Sequence, residues 1–281
     1  MQNLVALVTG GSAGIGLEAV LALRAAGVTV YAAARRPMPT LEERGIRTLT
    51  LDVTDDDSLQ RGVAAVLHRE GRIDILVNNA GYGSYGAIEE VPLAEARRQF
   101  EVNVFGAMRL TQLVLPHMAE RGSGRIINIS SMGGRFSMAL GGWYHATKYA
   151  TEALSDALRQ EVRPFGIDVV LIEPGLVHSE WPKIAADHLR TASGLGRYAT
   201  MAQNFATALE VGGGVATDPA VIGRVVARAA TCRRPRTRYL KGFGALPTLI
   251  AFSVLPDRVV DATIRLALSR LGTVLELVKP A

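Results

Sequence analysis

The sequence predicts an α/β protein built on a doubly wound parallel sheet with helices on both faces. Short apolar runs bounded by turn residues alternate with segments of helical period from the first residues to about residue 230, as in consecutive βαβ units. A glycine-rich turn follows the first apolar run and leads into a helical segment. The chain has 281 residues, 48% of them hydrophobic and 20% charged, so it can bury a full core.

Six apolar runs predict the strands of this sheet. They are Leu4–Val8, Val28–Ala33, Ile46–Leu51, Ile73–Val77, Arg125–Ile129 and Ile167–Ile172. Helices are predicted between them at about 14–26, 55–69, 97–119 and 144–163, and the last two carry apolar residues three or four apart along one face. Asp218 and Pro219 predict the start of a later helix that ends near residue 230, and a last helix is expected near 258–275.

Two segments depart from this alternation. Residues 178–217 are polar and mixed, with a weak helical pattern over 201–209, and we expect a substrate loop there because long excursions of this kind are usually lids or binding loops. An apolar C-terminal extension is expected at about 239–281. No linker, internal repeat or low-complexity tract interrupts the chain, so the sequence predicts a single domain over 1–281.

Composition limits the classes of protein and compartment. Lys and Arg (31) exceed Asp and Glu (26) by 5, which favours a phosphate-bearing partner. Cys232 is the single cysteine, so an internal disulfide is excluded and a reducing, cytoplasmic compartment is expected. The chain passes from Met1 into an apolar run without a basic leader, and the stretch Phe243–Leu255 is interrupted by Pro247 and shorter than the ~20 residues of a membrane span. We therefore expect a soluble protein without a transmembrane segment.

The turn after the first strand is Thr9-Gly10-Gly11-Ser12-Ala13-Gly14-Ile15-Gly16. Glycines allow the backbone to turn tightly and approach a pyrophosphate, whose charge is met by the N–H groups and the dipole of the next helix. Glycine also serves tight turns for conformational reasons alone. Because this turn lies between a strand and a helix at the start of a βαβ series, we interpret it as a Rossmann-like dinucleotide site.

The end of the second strand indicates which dinucleotide is bound. An NAD site places an acidic residue there to accept from the ribose 2′-hydroxyl, whereas a 2′-phosphate needs a cation. This chain has Ala34, Arg35 and Arg36, so the sequence predicts NADP(H), with Arg35 as the phosphate ligand. The alternative is that the two arginines belong to a solvated loop. Asp52, at the end of the third strand, is a candidate for the adenine amino group or for a helix cap.

Further motifs follow in order along the chain. They are Asn78-Asn79-Ala80-Gly81 after the fourth strand, Asn103 in the third helix, Ser130-Ser131 after the fifth strand, Tyr144 with Lys148, and Pro174-Gly175 after the sixth strand. With these motifs the chain resembles the classical short-chain dehydrogenase/reductase family over roughly residues 1–177. The resemblance implies a nicotinamide cofactor, interconversion of an alcohol and a carbonyl, and a homodimer or homotetramer.

The resemblance also implies the functional residues. Tyr144 is expected to be the acid/base, Lys148 its partner, Ser131 the hydroxyl that orients the carbonyl, and Asn103 a member of a relay. The implied cofactor-binding set is Gly10, Ser12, Gly14, Ile15, Gly16, Arg35, Asp52, Val53, Asn79, Tyr144, Lys148, Pro174, Gly175 and Val177.

General chemistry is consistent with these roles. Reduction of a ketone by hydride leaves an alkoxide that must be protonated, and a free tyrosine, with a pKa of about 10, exchanges protons poorly near neutral pH. Lys148 lies four residues after Tyr144, so on a helix the two share a face, and we expect its ammonium to lower the pKa of the phenol. Such a pair on its own is usually an exposed helical pair. Asn103 has its own alternative, a bond to neighbouring backbone.

We therefore expect an NADP(H)-dependent enzyme that interconverts a carbonyl and an alcohol on a fairly apolar small molecule. The expected pocket wall consists of Trp181, Phe205, Phe243, Leu246, Leu249 and Phe252. The alternatives are a hydride-assisted isomerase, an NADP(H)-binding regulator without turnover, and a peripheral membrane protein anchored by the apolar tail beside its arginines. The five histidines show no metal-ligand spacing, so no metal is expected, and His145 and His178 are given no role. The basic run at 233–238 lacks interleaved aromatics, so we expect no nucleic acid partner.

Overall fold

The computed structural model describes residues 4–278, with burial and side-chain contacts described for 4–212 and 215–269. Its strands are β1 (Val5–Thr9), β2 (Thr29–Ala34), β3 (Arg47–Thr50), β4 (Ile75–Asn78), β5 (Gly124–Ile129), β6 (Ile167–Pro174) and β7 (Arg238–Lys241). They form a parallel sheet in the order β3-β2-β1-β4-β5-β6-β7. The doubly wound α/β fold is thus confirmed. The strand order reverses direction between β1 and β4, and open parallel sheets bind ligands at such a switch point.

Eleven α-helices accompany the sheet in the described part of the chain. They are α1 (Gly14–Ala25), α2 (Pro39–Glu43), α3 (Asp56–Glu70), α4 (Leu93–Phe100), α5 (Gly106–Glu120), α6 (Gly142–Val162), α7 (Trp181–Ser193), α8 (Ala199–Val211), α9 (Pro219–Thr231), α10 (Ala245–Val254) and α11 (Asp257–Val278). None of the helices within residues 4–278 combines the length and the hydropathy that crossing a bilayer requires.

The central strands β1, β2, β4, β5 and β6 are buried on both faces, which is why they are mostly apolar, whereas the edge strands β3 and β7 are partly exposed. Successive side chains of a strand point to opposite faces. In β1, Ala6 and Val8 join a cluster with residues of α1 and α9, while Val5 and Leu7 join a second cluster with residues of α3 and α5. Two separate cores therefore hold the carboxyl ends of β1, β4 and β5 at one edge.

The predicted helix over 97–119 differs from the observed one in two ways. Helix α4 begins earlier, at Leu93 after Pro92, and a π-helical turn over Glu101–Phe105 separates it from α5. Apolar spacing alone does not reveal a π turn, because the turn adds one residue without interrupting the helix. Such turns are frequent at functional sites, and this one carries Asn103.

The segment 178–217 is not irregular as expected, because it contains α7 and α8, although the weak helical pattern over 201–209 does fall within α8. In the C-terminal extension, β7 and α10 were not predicted from the sequence. Strand β7 has only four residues and forms by pairing with β6, where Arg238 lies opposite Leu171. A partner strand distant in sequence decides this conformation. The predicted last helix falls within α11, while residues 1–3 and 279–281 of the predicted domain lie outside the described residues.

Candidate active site

The glycine turn between β1 and α1 requires glycine at several positions. Gly10 and Gly14 have φ of +64° and +52°, in the left-handed region that other residues rarely adopt. A Cβ on Gly16 would overlap the carbonyl oxygen of Gly10 and the side-chain amide of Asn79. Glycine at these positions therefore allows the tight turn and its close packing against Asn79.

Asn79, which we expected to bind the cofactor, holds this turn in place. Its Nδ2 donates to the Thr9 carbonyl at 2.9 Å and to the Gly10 carbonyl at 3.3 Å. Thr9 returns the contact, since its Oγ1 accepts from the backbone N–H groups of Asn79 and Ala80, both at 3.0 Å. The segment after β4 thus fixes the position of the glycine turn.

Two arginines follow β2, and the structure distinguishes them. Arg36 Nε donates to the Ser12 hydroxyl at 2.9 Å, so this side chain is tied to the glycine turn. Arg35, and not its neighbour Arg36, was predicted from the sequence to bind the phosphate. Arg35 is exposed, and its charge is one of the influences that lower the pKa of Asp52. Cations and a glycine turn thus lie together at this end of the site.

Asp52 and Val53 follow β3. They therefore lie at the same edge of the sheet as the glycine turn, which follows the parallel strand β1. Partial burial acts to raise the pKa of Asp52, but the backbone N–H and hydroxyl of Thr54, together with the charges of Arg35 and Arg98, outweigh it and keep the pKa below its ordinary value. Both Thr54 groups donate to Asp52 Oδ1, at 2.9 and 2.8 Å. Asp52 does not cap the following helix, because Asp55 is the N-cap of α3. Val53 is buried, and a Cβ on Gly106 would overlap its carbonyl oxygen.

Tyr144 and Lys148 lie one turn apart on α6 and face the end of β5. Lys148 Nζ donates to the Ile129 carbonyl at 2.9 Å and lies 5.9 Å from the centre of the Tyr144 ring. Ser131 follows β5, and its Oγ accepts from the Gly133 N–H at 3.0 Å. The structure thus brings these three predicted residues together.

The pKa values at this site differ from the sequence expectation. Burial raises the pKa of Tyr144 to about 12, and the Ser131 hydroxyl acts in the opposite direction. Burial lowers the pKa of Lys148 to about 8, partly offset by the charge of Glu152. We expected Lys148 to lower the pKa of the phenol, but burial dominates for both groups and the expected net decrease is wrong for the protein by itself.

Asn103, on the π turn, makes three hydrogen bonds with groups outside that turn. Its Oδ1 accepts from the Tyr82 N–H at 3.0 Å, and its Nδ2 donates to the Tyr82 carbonyl at 2.9 Å and to the Thr147 hydroxyl at 3.1 Å. Asn103 therefore joins the segment after β4 to α6, on the turn of α6 that carries Tyr144 and Lys148.

A partly buried ion-pair network lies behind Lys148 and was not predicted from the sequence. Arg238 of β7 contacts the carboxylates of Glu152 and Glu173, both at 3.1 Å, and of Asp156 at 2.6 Å. From the sequence, Arg238 was placed only in the basic run at 233–238, without a role in the site. No local pattern reveals the network, because its members come from α6, β6 and β7.

A cavity of about 360 Å³ connects the glycine turn with Tyr144. The predicted site residues that line it are Gly10, Gly14, Ile15, Asn79, Ser131, Tyr144, Lys148, Pro174, Gly175 and Val177. Those outside its lining are Ser12, Gly16, Arg35, Asp52, Val53 and Asn103.

The far end of the cavity is apolar and aromatic. Trp181 and Phe205 line it as expected, together with Tyr85 and Phe136. The C-terminal tail does not form the predicted wall, because Phe243, Leu246, Leu249 and Phe252 are absent from the lining. Phe243 and Leu246 are more than half exposed, and Phe252 packs behind Phe136 with ring centres 4.5 Å apart. Helix α7, which follows β6, brings Trp181 and Ile184 to the cavity, whereas these tail residues lie outside its lining.

His145, which we gave no role, also lines the cavity. Its Nδ1 lies 2.8 Å from the Gly133 carbonyl, and because a carbonyl only accepts, Nδ1 carries the proton. Burial lowers the pKa of this histidine, so the ring is neutral at pH 7. Among the described residues, no three His, Cys, Asp or Glu side chains are grouped to hold a metal ion.

Comparisons with known proteins agree with this geometry. The family model for short chain dehydrogenases matches residues 4–188. A probable short-chain type dehydrogenase/reductase from Helicobacter pylori is 35% identical over 265 residues, which cover 93% of this chain and 97% of that protein. An NADPH-dependent 3-dehydrocapnine reductase from Ornithobacterium rhinotracheale is 32% identical, with coverage of 91% and 94%.

A solved structure, the closed form of a serine dehydrogenase complexed with NADP+, superposes on the chain with a TM-score of 0.74. It is 26% identical and covers 85% of this chain and 94% of its own. The family model covers well over half of the sequence, including the glycine turn, Ser131, Tyr144 and Lys148. The chain belongs to the short-chain dehydrogenase family and is an oxidoreductase that uses NAD(P)(H).

Proposed function

We propose that the chain reduces a ketone or aldehyde on a fairly apolar molecule to the alcohol, with NADPH preferred over NADH, and catalyses the reverse reaction with NADP+. The observation that carries this proposal is a single cavity. A glycine turn lies at one end, aromatic side chains lie at the other, and Ser131, Tyr144 and Lys148 lie between them.

The residues present fit a dinucleotide. The left-handed glycines Gly10 and Gly14 line the cavity and leave room for a pyrophosphate beside the first turn of α1. Arg35 and Arg36 supply cations for a 2′-phosphate, and Ala34 leaves the end of β2 without a carboxylate. Pro174, Gly175 and Val177 would hold the nicotinamide end, which supplies or accepts the hydride when bound.

The proton for the substrate oxygen comes from one of the two hydroxyls in the cavity. Tyr144, with a pKa of about 12, is protonated at pH 7 and can donate to the substrate oxygen as negative charge develops there. The Ser131 hydroxyl can donate to the same oxygen and so orients the carbonyl. After donation, the Lys148 ammonium stabilises the phenolate, because an opposite charge nearby favours the ionised form.

Asn103 contributes by position. Its amide fixes the Tyr82 backbone and the Thr147 hydroxyl, next to the turn of α6 that presents Tyr144 and Lys148. We assign it a place in a relay that returns a proton from solvent to Lys148 through water. Removal of this amide would then slow turnover without removing the acid.

The cavity wall supports the substrate class. Trp181, Phe205, Phe136 and Ile184 offer apolar area, and Glu180 supplies the one acidic side chain in the lining. An apolar ketone would bind more tightly by burying its chain against this wall, whereas an acidic metabolite would find few cations there to pair with.

The test is a panel of ketones, aldehydes and alcohols assayed by NADPH absorbance with purified protein. We expect turnover of apolar ketones or aldehydes with NADPH and slower turnover with NADH. Binding of NADPH without turnover of any member of the panel would instead support a regulatory protein. Conversion of a hydroxyl isomer without net NADPH consumption would support an isomerase.

A further inference from the structure

Tyr85 lies after β4 and places a second phenol in the catalytic cavity. It is 5% exposed and lines the same cavity as Tyr144. Its ring centre lies 5.4 Å from that of Tyr144, 5.7 Å from that of Trp181 and 5.6 Å from that of Phe205. Packing on three sides fixes the position of the ring, so its hydroxyl is preorganised.

The hydroxyl of Tyr85 makes no hydrogen bond to the described part of the protein, in contrast to other phenols of the chain. Tyr82 donates to Glu95 at 2.9 Å, and Tyr31 donates to Glu70 at 2.7 Å. Buried hydroxyls nearly always have a hydrogen-bond partner, since an unpaired one loses its hydration without compensation. Because Tyr85 lines the cavity, water there can satisfy its hydroxyl, and a polar group of a bound substrate can take the place of that water.

The charge state of this phenol is settled by its surroundings. Burial, and to a smaller extent the neighbouring Tyr144, raise the pKa of Tyr85 well above its ordinary value. The group is therefore neutral at any physiological pH, and it can both donate and accept one hydrogen bond. A ligand with a neutral polar group suits this site, whereas burial of a ligand carboxylate against the surrounding rings would cost free energy.

We propose that the Tyr85 hydroxyl binds a hydroxyl group of the substrate on a carbon one or two bonds from the reacting carbonyl. The two adjacent phenols then bind different substrate oxygens. Tyr144 donates a hydrogen bond to the carbonyl oxygen, and Tyr85 forms a hydrogen bond with the neighbouring hydroxyl. The substrate class is a hydroxyketone with an apolar chain. This inference rests on the proposed function, because it assigns the reacting carbonyl to Tyr144.

The test is Tyr85→Phe, which keeps the ring and its packing and removes only the hydroxyl. Two ketones of equal chain length serve as probes, dodecan-2-one and 1-hydroxydodecan-2-one, each assayed with NADPH. We expect the wild type to prefer the hydroxyketone in kcat/KM, and Tyr85→Phe to reduce that preference by about 5- to 100-fold, since the substrate hydroxyl would be buried unpaired. Tyr149→Phe, at an exposed tyrosine of α6, is the matched control and should leave the preference unchanged.

The outcomes separate this inference from the function on which it rests. Loss of activity with the hydroxyketone alone supports the subsite. An equal loss with both ketones overturns it, because the hydroxyl would then serve the reaction or the fold, and an unchanged preference overturns it as well. A wild type that reduces neither ketone while binding NADPH overturns the proposed function together with the inference.

Discussion

Lys148 donates a hydrogen bond of 2.9 Å from Nζ to the carbonyl of Ile129, the last residue of β5. This bond ties α6, which carries Tyr144, to the strand that leads to Ser131. One contact therefore helps to hold the Tyr144 and Ser131 hydroxyls in position relative to each other. It also holds a half-buried ammonium in the protein, where burial lowers the pKa of Lys148 to about 8 from an ordinary 10.5.

Stability should therefore depend on pH through Lys148. Between pH 8 and 10.5 the folded protein releases a proton that the unfolded chain keeps, so the free energy of unfolding of the wild type should rise relative to Lys148→Met. A shift of this size corresponds to at most about 3 kcal/mol, and we expect about 1–2 kcal/mol because the side chain is half-buried.

Urea unfolding at pH 7 and pH 10 measures this difference. Lys183→Met, at an exposed lysine, is the matched control. A wild type whose stability relative to Lys148→Met falls or stays constant over this range would contradict the lowered pKa.

Tyr144→Phe should abolish most turnover and preserve the fold. The change removes one hydroxyl, so NADPH binding should survive while reduction falls by the ~10²- to 10⁴-fold expected for a lost acid/base. Steady-state kinetics and cofactor titration measure the two effects, and Tyr149→Phe on the same helix is the control. Near-normal turnover in Tyr144→Phe would show that another group supplies the proton.

Cofactor preference should follow Arg35. Replacement of Ala34 by Asp and of Arg35 by Ala should reverse the preference from NADPH to NADH, since a charge-assisted bond of about 1.5–3 kcal/mol is replaced by repulsion of the 2′-phosphate. That range corresponds to a change of about ten- to more than a hundred-fold in Kd. Calorimetry with both cofactors is the measurement, with Arg44→Ala as an exposed control. Equal binding of the two cofactors by the wild type would rule out the assignment.

Substrate chain length should act through Phe205 and not through the tail. For methyl ketones of rising length, each buried methylene should improve kcat/KM by about 0.8 kcal/mol, or about fourfold. Phe205→Ala should flatten this increase, because the side chain lines the cavity.

Leu246→Ala is the control for this series, because Leu246 lies in the tail and is 60% exposed. Its variant should retain the full dependence on length. The opposite pattern, in which Leu246→Ala loses the dependence of kcat/KM on chain length and Phe205→Ala keeps it, would show that the tail contributes to the substrate site.

The local part of the fold was predictable from the sequence. Apolar runs predicted β1 to β6 within two residues at each end, and most of these strands are buried on both faces and so need apolar side chains at most positions. The glycine turn and the pairing of Tyr144 with Lys148 were also predictable, since each is a short-range pattern on one element. The family followed from the order of these motifs.

Only the tertiary structure decided what lies around these motifs. Whether α7 or the tail covers the cavity depends on packing between distant segments, and so does the strand β7 that brings Arg238 to Glu152. The partners of Asn103, and the lack of a partner for the Tyr85 hydroxyl among the residues whose side chains are described, also depend on packing between distant segments. Periodicity records which face of an element is buried, but not which neighbour buries it. Burial also sets the pKa values of Tyr144 and Lys148, because the free energy of a charge depends on the solvent that the fold removes.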